Sequence, residues 1–75
     1  MNKIDKQISS QRNALAESIF QMRTKQGLSQ LDLATKAGID RKTVNRIECG
    51  HFSPSLDTLV RLSAVLAIKP AKLLG

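Results

Sequence analysis

Residues 30–49 read QLDLATKAGIDRKTVNRIEC, and their spacing decides the fold. Leu33, Ala34 and Ala37 recur at i, i+1 and i+4, and Val44 and Ile47 lie three apart. This is the spacing of a helix face and not the alternation of a strand. Two short helices are predicted, at 30–37 and 41–49, with about three residues between them. A turn that tight makes the helices cross steeply. Gly38 can take a positive φ at the turn, and the small Ala34 lets the helices approach closely. Ile39, Val44 and Ile47 point inward to fix the angle. Ser29 and Asp32 have the spacing of a capping box, and Asp40 is a good N-cap whose carboxylate meets the positive end of its helix.

Working outward, Leu15, Ile19 and Met22 continue the helical spacing on one side, and Leu56, Leu59, Leu62, Ser63 and Leu66 on the other. Five helices are expected, at roughly 10–26, 30–37, 41–49, 55–66 and 70–74. Ser53 or Ser55 caps the fourth, and Pro70 opens the fifth behind the poor cap Lys69. The polar residues 1–8 are expected to form a flexible extension before a single domain over 9–75. The fold class is all-α.

Composition narrows the function. A chain of 75 residues with 12 Lys+Arg against 6 Asp+Glu carries a net charge of +6, which favours a polyanionic partner. One domain of this length is too small for a deep catalytic cleft. Phe20 and Phe52 are its only aromatic residues, too few for a single-strand binder that stacks bases on rings. The single cysteine excludes an internal disulfide and a cysteine-based zinc site, and His51 lacks ligand partners, so no metal or cofactor is expected. No apolar run approaches a membrane span, and the first residues lack the apolar core of a signal peptide. A cytoplasmic, nucleoid-associated protein with no membrane partner is therefore expected.

The third helix carries the chemistry. At about 100° per residue, Arg41, Lys42, Asn45, Arg46 and Cys49 share one arc, opposite Thr43, Val44, Ile47 and Glu48. Three cations and an amide suit the acceptors of the major groove or its flanking phosphates. Ser29 and Gln30 begin the second helix, whose open amides and dipole suit a phosphate. Thr43, His51 and Ser53 are further phosphate candidates. Glu48 lies on the inward arc, where an unpaired charge is costly, and Arg23 is its candidate partner. Cys49 reads as a small tolerated residue; reactivity would require a lowered pKa.

The run GLSQLDLATKAGIDRKTVNRIECG, followed by PSLDTLVRLSAVL, resembles the lambda-repressor-like, XRE-type helix-turn-helix regulators. The resemblance covers roughly residues 12–74. It implies a compact five-helix DNA-binding domain whose third helix is the recognition helix. Arg41, Lys42 and Arg46 then fall at base-reading positions with Asn45 beside them, Gln30 touches the DNA backbone, and Arg23 pairs with Glu48. Phe20, Leu31, Ala64 and Val65 are more apolar than this pattern usually shows. Ser63 on the inner stripe is expected to bond back to the Leu59 carbonyl, and Ala67 replaces a frequent glycine, so a left-handed cap is not expected there. The resemblance also implies a twofold dimer, with Val65, Ile68, Lys72, Leu73 and Leu74 as candidate contacts; the alternative for Leu73 and Leu74 is that they cap the core.

The function expected is a sequence-specific double-stranded-DNA-binding transcriptional regulator, a repressor that occupies a palindromic operator and excludes polymerase without an effector domain of its own. The alternative is an antitoxin-type module that neutralises a toxin partner and autoregulates its operon. No nucleophile–base pair, metal cluster or phosphate loop points to an enzyme.

Overall fold

The computed structural model describes residues 2–75. Five helices follow in order: α1 (Lys3–Lys25), α2 (Gln30–Ala37), α3 (Arg41–Glu48), α4 (Leu56–Leu66) and α5 (Pro70–Leu73). The described residues contain no strand. α1 sets the long dimension of a particle measuring 37 × 22 × 21 Å. It packs on α3 and α5; α2 packs on α3 and α4; and α4 packs on α5. Ile19, Leu33, Val44, Ile47, Leu62, Leu66 and Leu73 are fully buried at the centre. Each buried side chain of this kind contributes about 1.5–3 kcal/mol relative to an exposed one.

α1 begins at Lys3, seven residues before the expected start. Of the expected extension, Met1 lies outside the described residues, and Lys3–Ile8 are helical. Asn2 Oδ1 accepts the Asp5 amide at 2.8 Å, and Asp5 puts a carboxylate in the first turn, where the helix dipole favours it. Ile4 and Ile8 are one turn apart and continue toward Leu15, which makes this segment amphipathic despite its polar composition. With Pro54, Leu59 and Leu74 they line a shallow apolar groove of about 290 Å³.

The cap signals fix the two short helices. The Ser29 side chain accepts the Asp32 amide at 2.9 Å, and the Asp32 carboxylate accepts the Ser29 amide at 2.9 Å. These bonds hold the Asp32 carboxyl below its ordinary range. Gly38 ends α2 in the left-handed region at φ 70°, and a Cβ there would lie 3.1 Å from Arg61 Nη1. That guanidinium donates to the Ala37 carbonyl at 3.3 Å and so ties α4 to the turn. Asp40 caps α3 through the Lys42 amide. Of the two candidate serines, Ser55 caps α4, accepting the Thr58 amide at 3.1 Å.

Three local expectations are corrected. Ala67 does adopt the left-handed conformation, at φ 56°. Its amide and that of Ile68 both close on the Ser63 carbonyl, and Ile68 packs against the core, so tertiary contacts impose the turn that glycine would favour. The Ser63 hydroxyl bonds the Val60 carbonyl at 2.8 Å, three residues back, and not that of Leu59. Leu73, a candidate dimer contact, is 0% exposed and completes the core, which leaves it no surface to offer a partner.

Ala67→Gly relieves the left-handed strain and is expected to stabilise the chain by about 1 kcal/mol, raising Tm by roughly 4–8 °C in a calorimetric scan. Because the Asp32 carboxyl is lowered in the fold, its contribution is complete above about pH 4–5 and fades as pH falls through the folded value. Asp32→Asn should therefore flatten the acid limb of a stability–pH profile and leave its neutral limb parallel to that of the parent.

Candidate nucleic-acid interface

The two faces of α3 separate as its periodicity requires. Val44 and Ile47 are 0% exposed, whereas Arg41, Lys42, Asn45 and Arg46 all stand in solvent. The buried face sets the height and rotation of the helix, and the exposed face presents three cations and an amide along two turns. Cys49, beyond the last turn, is exposed and unpaired with another cysteine.

An ion pair locks this orientation. Arg23 Nε donates to Glu48 Oε2 at 2.6 Å and Nη2 to Oε1 at 2.9 Å, a two-pronged geometry that fixes direction as well as distance. Its third nitrogen, Nη1, donates to the Leu28 carbonyl at 2.9 Å. The paired side chains are 11% and 7% exposed, so little water screens them. The Phe20 ring stands 5.4 Å from the guanidinium carbon, close enough for a cation–π contact. This gives a role to an aromatic residue that looked out of place in the sequence. Hydrogen bonding to Glu48 is the chief reason the Arg23 pKa is raised, so the guanidinium keeps its charge throughout the ordinary pH range. One side chain thus joins the end of α1, the loop before α2 and the end of α3.

The phosphate candidates differ in what already holds them. The capping box occupies two of the four unpaired amides at the start of α2, those of Ser29 and Asp32. Its carboxylate also places a negative charge where an anion would approach. Gln30 is half-buried and faces inward along the surface: its Nε2 donates to Glu48 Oε1 at 3.2 Å, and its Oε1 accepts from Asn45 Nδ2 at 3.4 Å. Thr43 is half-buried, and His51 and Ser53 are exposed in the loop after α3. Ser53 Oγ accepts from Arg12 Nε at 2.7 Å. Arg12 therefore brings a guanidinium to a loop whose own sequence offers only His51. Sequence spacing gave no signal for Arg12, which lies 41 residues from Ser53. Of the candidate dimer contacts other than Leu73, Val65 and Ile68 are half-buried, and Lys72 and Leu74 are exposed near the C-terminus. Among the described residues, no cluster of His, Cys, Asp or Glu has the makings of a metal site, and no helix is long and apolar enough to cross a membrane.

Comparison with known proteins identifies the family and the fold. Residues 19–73 match the Helix-turn-helix family HTH_3. An uncharacterized HTH-type transcriptional regulator of Haemophilus influenzae is 38% identical over 58 residues, covering 77% of this chain. The match spans 59% of that relative's length. Among solved structures, the hypothetical transcription factor NHTF from Neisseria superposes with a TM-score of 0.83 at 28% identity, over 89% of this chain and 75% of its own. The restriction-modification controller protein C.AhdI from Aeromonas hydrophila gives 0.78 at 34% identity, over 83% of this chain and 94% of its own. The clp gene regulator ClgR from Corynebacterium glutamicum, at 22% identity and a TM-score of 0.77 over 84% of this chain and 67% of its own, shares the fold.

Removing the guanidinium strands the Glu48 carboxylate in a site that is 7% exposed. Arg23→Ala is expected to cost about 3 kcal/mol, read as a lower urea midpoint with an unchanged slope. An unaltered midpoint would show that the pair does not hold the fold.

Proposed function

Because the chain belongs to the helix-turn-helix family and has its five-helix, lambda-repressor-like fold, we propose that it is a transcriptional regulator that binds double-stranded DNA by sequence and acts as a repressor. In this reading α3 enters the major groove. Arg41, Lys42 and Arg46 donate to base acceptors such as guanine N7 and O6, and Asn45 pairs with a base beside them. The observation that carries the proposal is the division of α3 into a fully buried face and a face of exposed donors, held at one angle by Arg23 and Glu48.

The free amides at the start of α2, together with Thr43, His51 and Ser53, are assigned to the flanking phosphates. The net charge of +6 supports association with any stretch of duplex, while the placed side chains supply discrimination. A homodimer sets two copies of α3 about 34 Å apart, in successive major grooves of a palindromic site. Val65, Ile68, Lys72 and Leu74 are the proposed contacts between its subunits. Repression follows from occupancy, since a protein seated in the groove excludes polymerase.

Footprinting on the DNA flanking the gene tests the proposal. A protected, twofold-symmetric site whose affinity falls steeply with salt is the expected result. Arg41→Ala and Arg46→Ala should each cost about 1–3 kcal/mol and relax the preference at one base pair. Equal losses on all sequences would move both residues to the phosphates.

A further inference from the structure

A line of side-chain contacts crosses from the buried ion pair to the exposed face of α3. Glu48 is acceptor-only as a carboxylate. It takes Arg23 on both oxygens and Gln30 Nε2 on Oε1. Gln30 must therefore turn its nitrogen toward Glu48, because the reverse orientation would set two oxygens against each other. Its amide is planar, so Oε1 faces the opposite way and accepts from Asn45 Nδ2 at 3.4 Å. The Asn45 amide is oriented in its turn. One of its N–H groups is committed to Gln30, and its Oδ1 has only the Cys49 thiol, a weak donor, at 3.9 Å. The polarity of an exposed amide is thus set by a buried charge two hydrogen bonds away.

We propose that Gln30 is a specificity-determining residue that acts through Asn45, fixing that amide so that its oxygen is offered to a base bearing an exocyclic amine. Adenine and cytosine carry such a donor in the major groove, whereas guanine and thymine present acceptors there. Adenine is favoured over cytosine, because its N7 also accepts the N–H of Asn45 that Gln30 leaves unused. The inference rests on α3 being the helix that enters the groove. It departs from the plain phosphate role of Gln30, since both ends of that side chain are engaged within the protein. At 3.2 and 3.4 Å the two links are long, so the effect is one of bias and not of all-or-none choice. Gln30 is a positioning residue here; Asn45 is the one that touches the base.

The test is selection of full-length protein on a randomised duplex library, with the bound fraction sequenced. The parent protein, Gln30→Ala, Asn45→Ala and the double variant are compared, and each is checked for an intact thermal transition. The parent should prefer adenine at one pair per half-site, and Asn45→Ala should erase that preference. Gln30→Ala should reduce it at the same pair by about fivefold to tenfold and leave the other positions unchanged. The double variant should be no worse there than Asn45→Ala alone, the signature of residues acting in series. Gln30→Ala weakening every sequence alike would overturn the inference in favour of a phosphate contact, as would effects of the two variants at different pairs. A parent protein that enriches no sequence would overturn the DNA reading itself, and this inference with it.

Discussion

Arg23 and Glu48 form a mostly buried ion pair between the end of α1 and the end of α3. Two charges withdrawn from water are tolerable only when nearly every donor and lone pair finds a partner. Here the guanidinium places three nitrogens on protein oxygens, and the carboxylate also accepts from Gln30. The pair brings little net stability by being present. Its effect is to make other arrangements costly, because shifting α3 by one residue, or rotating it by a quarter turn, would leave a charge buried alone. A flexible apolar contact would allow that shift at small cost. The angle at which α3 presents its outer face is therefore fixed by electrostatics at one end and by Val44 and Ile47 along its length.

Helix ends supply the second constraint. α2 and α3 have eight residues each, about two turns, and helices of that length are marginal in water. Their stability comes from the capping box at Ser29 and Asp32, the left-handed Gly38, the Asp40 cap and one buried stripe per helix. The same Asp32 that stabilises α2 makes its N-terminus less hospitable to a second anion. The local fold and the proposed phosphate contact thus compete for the same dipole, and the unoccupied Gln30 and Leu31 amides are what the competition leaves.

Much of this was legible in the sequence, for identifiable reasons. From Leu15 to Ile47 the apolar residues keep a helical period, and Ser29, Gly38 and Asp40 are residues whose local chemistry dictates where a helix starts or stops. Glu48 was legible as one half of a pair because an acid on an inward arc demands a cation. The failures share another cause, the dependence on contacts distant in sequence. Ile4 and Ile8 look isolated in a polar run until Leu74 is folded beside them. Ala67 accepts a strained conformation because Ile68 is pulled into the core. Leu73 has two readings in the sequence, dimer contact or cap of the core, and only the folded chain selects the core. Arg12 meets Ser53, and Gln30 links Glu48 to Asn45, only through rotamers that no spacing rule encodes.

The length of α1 has a consequence for how the molecule loosens. Its C-terminal half carries Leu15, Ile19 and Arg23, each embedded in the centre. Its first two turns rest on one apolar side, with Ile4 66% and Ile8 42% exposed. Opening those turns exposes little more apolar surface and breaks no ion pair, whereas opening the later turns dismantles the core. A single continuous helix therefore belongs to two cooperative units, with the divide between Gln11 and Leu15. The segment that sets α3 in place lies wholly in the more stable unit, so fraying at the start of the helix does not reach the face that α3 presents.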